Sequence, residues 1–97
     1  MKNPVNEIQI IPVKPKDGLI AFCSFVLFDS LYCSSVGVFT RPSGGYRLVY
    51  PTKRVGSRDI DIYYPVTREI GLVIEEEVTK VIQDLMKNGR YSIAHVE

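Results

Sequence analysis

Leu19–Phe28, LIAFCSFVLF, is a near-continuous apolar run of ten residues with turn signals on both sides. Its aromatic and β-branched content and its length favour a strand over a helix. Both alternating faces are apolar, so such a strand belongs in the middle of a sheet with something packed on each side. On its N-terminal side, Pro15-Lys16-Asp17-Gly18 is a turn: proline presets one dihedral, aspartate bonds local backbone and glycine accepts positive φ. Before that turn, Val5 to Val13 (VNEIQIIPV) reads as a first strand, and Pro12 places it at a sheet edge or a bulge. After the apolar run, Asp29-Ser30 reverses the chain into Leu31 to Thr40 (LYCSSVGVFT), where Gly37 suggests a bulge. Arg41-Pro42-Ser43-Gly44-Gly45 is a hairpin loop, and Tyr46 to Tyr50 (YRLVY) is a fourth strand ended by Pro51. These four strands form an antiparallel meander.

Thr52 to Asp59 (TKRVGSRD) is polar, contains Gly56 and reads as an exposed loop; Ile60 to Tyr64 (IDIYY) can add a fifth short strand. The period then changes. From Thr67, the apolar residues Ile70, Ile74, Val78, Val81, Ile82, Leu85 and Met86 recur at three and four, which predicts a helix over about 67–88. Thr67 is its N-cap, Glu69 suits the first-turn dipole and Asn88-Gly89 is a C-terminal stop. Gly71 weakens the first turn, which then frays or packs closely. The tail, 89–97, includes YSIAHV and is an edge strand or disordered. Strands first and one long helix last make the class α+β.

Ninety-seven residues hold one domain, 1–97. A chain this short buries about 60–65% of its unfolded surface, so its own core is marginal. One helix covers one face of a small sheet, while Leu19–Phe28 asks for cover on two. A second copy of the chain is the simplest missing layer, and a homodimer is expected. No apolar signal-peptide core follows Met1-Lys2-Asn3-Pro4, and the longest apolar stretch, interrupted by Ser24, falls far short of a membrane span of roughly 20 residues. The expectation is a cytoplasmic protein that does not engage a membrane.

The formal net charge is +1, which excludes a strongly basic nucleic-acid coat and an acidic solvating tail. The total hides a segregation. Residues 1–39 are balanced, and residues 59–97 carry four cations against eight acids. Residues 40–58 carry Arg41, Arg47, Lys53, Arg54 and Arg58 and no acid, with Tyr46 and Tyr50 interleaved. Cations neutralise phosphates and release counterions, and tyrosine rings can stack on exposed bases. A nucleic-acid surface is one reading of this block. The other is a solvated edge, with Arg47 paired across the sheet and the tyrosines packed inward.

At this block the chain resembles a known family. Gly45–Arg54, GYRLVYPTKR, is similar to the segment ending in P-[ST]-K-R of the septation regulators typified by stage V sporulation protein G (SpoVG). Gly18-Leu19-Ile20-Ala21 resembles the family's turn into its second strand, and Asp61-Ile62-Tyr63-Tyr64-Pro65-Val66 its later D-I-x-x-P-I segment; Ile74 and Val78 match its helix core. The likeness runs over roughly 5–86, and its specific part is the P-[ST]-K-R segment with D-I-x-x-P some seven residues later. It implies a small bacterial cytoplasmic regulator, dimeric, binding DNA and RNA, with Lys53 and Arg54 as nucleic-acid contacts. Arg41, Arg47 and Arg58 would support them electrostatically, with Tyr46 and Tyr50 as optional stacking platforms. The chain departs from the family at positions that carry the family's cations. Ile60 stands where it has arginine, Tyr64 where it has histidine, and Gly71 and Val73 where it has a basic pair at the start of the helix.

Other chemistry is thinly represented. Cys23 and Cys33 on neighbouring strands read as buried small hydrophobes, since two ligands do not close a zinc site. His95 has no cysteine nucleophile near it in the sequence and no second histidine. Asp59 and Asp61 alternate on one strand face and suit salt bridges to Arg54 or Arg58. Glu75, Glu76 and Glu77 spread through about 200° of a helix, too far to converge on one ligand. No cofactor and no enzymatic activity are expected. The alternative to nucleic-acid binding is a protein-interaction module in which the sheet edge or the acidic helix docks a partner.

Overall fold

The structure, a computed structural model, describes residues 3–87. The predicted helix stop at Asn88-Gly89, the tail and His95 lie outside them. Four strands form an antiparallel meander in sequence order: β1 (Val5–Lys16), β2 (Leu19–Leu27), β3 (Leu31–Thr40) and β4 (Tyr46–Val49). A separate two-stranded sheet pairs β5 (Thr52–Val55) with β6 (Arg58–Asp61), and the helix α1 (Arg68–Lys87) follows. The architecture is α+β, as the change of period indicated.

β1 continues three residues beyond Val13, and the reversal narrows to Asp17-Gly18, both at positive φ (53° and 91°). Pro12 sits on an edge strand, where a missing N–H costs no ladder bond on the outer side. α1 starts where Thr67 caps it: the Thr67 hydroxyl accepts from the Ile70 N–H at 3.3 Å.

The register divides the meander into two faces. On one, Cys23 lies opposite Ile10 and Val36, Ala21 opposite Val38, and Phe25 opposite Cys33. All but Ile10 are fully buried, and with Ile74, Val78 and Ile82 of α1 they make the core. α1 reaches both edge strands, β1 and β4. Among the described residues, no helix lies on the other face. Across it run Ile11, Phe22, Gly37 and Val49 in one row, Leu19, Phe39 and Arg47 in a second, and the Val26–Tyr32 pair. Ile11 is 58% exposed and Tyr32 68%. Among the described residues, helical cover for β2 therefore lies on one face.

Two sequence expectations are corrected. Gly37 is not a bulge: it sits in regular register between Phe22 and Val49. The bulge falls earlier in β3, where three steps from Cys33 to Val36 face two steps of β2, and Ser35 takes φ 61°. The absent side chain of Gly37 serves packing instead. A Cβ there would lie 3.1 Å from the Phe39 ring and 3.4 Å from Leu19 Cδ1, so both side chains lie over this backbone. The second correction concerns Thr52 to Asp59. It is a hairpin, not an open loop, and the strand expected over Ile60–Tyr64 is instead Arg58–Asp61, because it pairs with Thr52–Val55. Gly56 at φ 63° begins a two-residue reversal, and its freedom at positive φ lets Lys53-Arg54-Val55 fold back on Arg58-Asp59-Ile60.

Candidate nucleic-acid interface

β5 and β6 form a ribbon that projects from the body, with every residue exposed. Its base is fixed by one further backbone bond, from the Ile62 N–H to the Pro51 carbonyl at 3.0 Å. Side chains alternate across a ribbon, and directly opposed residues share a face. Lys53 opposes Ile60 and Val55 opposes Arg58, so one face carries two cations, two aliphatics and no acid. Arg54 opposes Asp59 and Thr52 opposes Asp61, so the other face carries one cation and two acids. The adjacent Lys53 and Arg54 are thus separated, because a strand sends neighbours to opposite sides.

The five cations of 40–58 have different surroundings. Arg41 is drawn to the helix side, where its Nη2 donates to both carboxylate oxygens of Glu75 at 3.1 Å. Arg54 donates to Asp59 at 3.4 Å and to the Gly56 carbonyl at 3.3 Å, which secures the ribbon's tip. Arg47 lies on the open face of the meander with its guanidinium carbon 5.1 Å from the centre of the Phe39 ring, a cation–π contact rather than an ion pair. Of the five, Lys53, Arg58 and Arg47 have no acidic partner among the described residues.

Tyr46 and Tyr50 turn toward the core. The Tyr46 hydroxyl donates to Met86 Sδ at 3.5 Å. The Tyr50 ring meets Tyr63 edge-on, centroids 5.9 Å apart and planes at 73°. Burial raises the ionisation of both above the ordinary tyrosine value, Tyr50 the further. Both rings are partly buried, one engaged with Met86 and the other with Tyr63. Cys23 and Cys33 are buried free thiols, and burial raises Cys23 to about 12. The acidic run of α1 is partnered: Glu75 with Arg41, Glu76 with Lys80 at 3.7 Å, and Glu77 with Lys80 at 3.0 Å and Asn3 at 2.7 Å. Among the described residues, no three His, Cys, Asp or Glu side chains gather in a way that could hold a metal ion. No described helix is long and apolar enough to cross a membrane.

The positions at which the chain departs from the septation regulators are equally defined. Ile60 shares the ribbon's cationic face with Lys53, and Tyr64 is exposed beyond β6. Val73 is half-buried and packs against the core, and Gly71 lies in the first turn of α1 beside Pro65. The sequence did not reveal the ribbon, although Val55-Gly56-Ser57-Arg58 holds its signal: a glycine at the head of a two-residue reversal between short strands. Neither protein-family models nor curated proteins give a match to this chain.

Proposed function

We propose that this chain is a small regulatory protein of the septation-regulator kind that binds DNA or RNA through the β5–β6 ribbon. The observation that carries the reading is the ribbon's acid-free face, on which Lys53 and Arg58 stand exposed and unpaired among the described residues. A two-stranded ribbon is narrow enough to enter a major groove or to follow a single strand, and its cations act there by displacing counterions. Arg47 lies apart from the ribbon, on the open face of the meander against Phe39. Arg41 and Arg54 serve the fold: the first ties the β3–β4 loop to α1, the second ties the ribbon to itself. The role is binding rather than catalysis, in the cytoplasm.

The same reading takes the protein as a homodimer joined through the open face of the meander, where Ile11, Phe22, Phe39 and Val49 form an apolar surface. Two copies packed there would cover the second side of β2 and present two ribbons at once. A monomeric mass by light scattering at micromolar concentration contradicts the dimer. Binding is tested by fluorescence anisotropy with labelled duplex DNA, single-stranded DNA and RNA over a salt series. Two phosphate contacts per chain, Lys53 and Arg58, give a log–log slope near −1.8 on duplex, at about 0.9 per contact. Absence of binding to all three at low salt overturns the reading.

A further inference from the structure

The acid-free face of the β5–β6 ribbon holds four side chains: Lys53, Val55, Arg58 and Ile60. Val55 is 50% exposed and Ile60 46%, so two branched aliphatics stand in water beside two cations that have no acidic partner among the described residues. The register sets the cations at diagonal corners, Lys53 on β5 opposite Ile60 and Arg58 on β6 opposite Val55. Diagonal neighbours on one face of a ribbon lie about 7–8 Å apart. The acids Asp59 and Asp61 are on the reverse face.

This pattern distinguishes among nucleic acids. Single strands are held largely by stacking their bases on aromatic rings, and this face has none. The major groove of duplex RNA is deep and narrow, out of reach of side chains. The major groove of duplex DNA, about 12 Å wide, admits a two-stranded ribbon. A ribbon seated there with its acids turned outward sends the long arms of Lys53 and Arg58 to the phosphates on the groove walls. The shorter Val55 and Ile60 side chains then face the floor. Neither can donate or accept a hydrogen bond. Of the groups that base pairs present in that groove, the C5-methyl of thymine is the one that offers an aliphatic side chain an apolar partner.

We propose that the ribbon reads duplex DNA through the thymine methyl group, with Val55 and Ile60 as the residues that determine this specificity. The inference rests on the ribbon being the nucleic-acid surface and adds which duplex it prefers.

The test compares two labelled DNA duplexes of one T-rich sequence by fluorescence anisotropy at fixed salt, with every thymine of the second replaced by deoxyuridine. The exchange removes methyl groups and keeps base pairing and phosphate charge. Burying one methyl carbon is worth roughly four-fold in affinity, so the thymine duplex should bind about four- to fifteen-fold tighter for one or two such contacts. Val55→Ser/Ile60→Ser, shown by circular dichroism to keep its fold, should bind both duplexes alike. It should also keep the wild-type salt slope, because Lys53 and Arg58 remain. Duplex binding without a thymine preference, or a preference that survives the double substitution, would overturn this inference and leave the ribbon a phosphate-binding surface. Failure of both duplexes to bind while single-stranded DNA or RNA is bound would also overturn it alone. Failure of all of them at low salt would overturn the ribbon reading with it.

Discussion

Tyr50 and Tyr63 differ by one hydrogen bond, and removing the same oxygen from each should move stability in opposite directions. The rings meet edge-on at 5.9 Å and share their surroundings, so Tyr→Phe leaves the aromatic contact in place at either position. At Tyr50 the change deletes a buried hydroxyl with no partner among the described residues. An unsatisfied buried hydroxyl costs about 1–3 kcal/mol, so Tyr50→Phe should stabilise the fold by about 1 kcal/mol once the small void is counted. At Tyr63 the change removes the donor to the Ser34 carbonyl, at the bulge of β3 where the ladder is interrupted. That carbonyl is left without this bond, and about 1–2 kcal/mol should be lost. For a chain of this size, 1 kcal/mol corresponds to about 4–8 °C in Tm, so the two variants, about 2–3 kcal/mol apart, should melt about 8–24 °C apart, on either side of the wild type. The assay is urea and thermal unfolding by circular dichroism at one fixed protein concentration, since an oligomer's Tm depends on concentration. An unchanged m-value would show that the effect lies in stability and not in compactness. A Tyr50→Phe variant as destabilised as Tyr63→Phe would refute the reasoning, because it would mean that the Tyr50 hydroxyl is satisfied in the folded chain.

Three further outcomes follow from the same packing. Gly71→Ala should stabilise the helix by about 0.5–1 kcal/mol in urea unfolding, since its new methyl meets only Pro65 at an ordinary 3.6 Å and a helical glycine is the poorer former. Stability should decline on the alkaline side: burial raises Cys23 from 9.0 in the open chain to about 12, so its contribution is complete below about pH 9 and is lost as pH rises toward 12. Unfolding measured between pH 8 and 11 should show this decline, and Cys23→Ala should make it shallower. Arg41→Ala should leave the salt slope of nucleic-acid binding unchanged while slightly lowering stability, because its guanidinium is held by Glu75; anisotropy and thermal unfolding of the variant check both parts.

The elements legible in the sequence were those whose periodicity is enforced by burial. β2 and β3 were visible because their apolar residues must pack on α1, and α1 because Ile74, Val78 and Ile82 recur on one stripe. β5 and β6 were not, since no core imposes a pattern on a ribbon exposed on both faces, and polar residues with a glycine look alike in a loop and in a free hairpin. Gly37 pointed to a bulge by its residue type, but its role depends on Phe39 and Leu19 lying across it, a tertiary relation that local sequence does not carry. Charge segregation identified the basic block correctly as a composition, yet only alternation along β5 shows that Lys53 and Arg54 part company and that Arg58 is Lys53's companion. Arg41 left the block for Glu75, 34 residues away, which no local rule could anticipate. The Tyr50 hydroxyl was equally hidden, because the sequence named the residue without showing which way its ring would turn.

The central claim is that the ribbon's acid-free face is what meets nucleic acid. The most direct measurement is the salt slope of duplex binding by anisotropy for the wild type and for a Lys53→Ala/Arg58→Ala variant shown by circular dichroism to keep its fold. The account predicts a slope shallower by about 1.8 per chain in the variant, the share of two phosphate contacts, with affinity lost in parallel. A variant that binds with the wild-type slope would contradict it, and would move the function from the ribbon to another surface of the molecule.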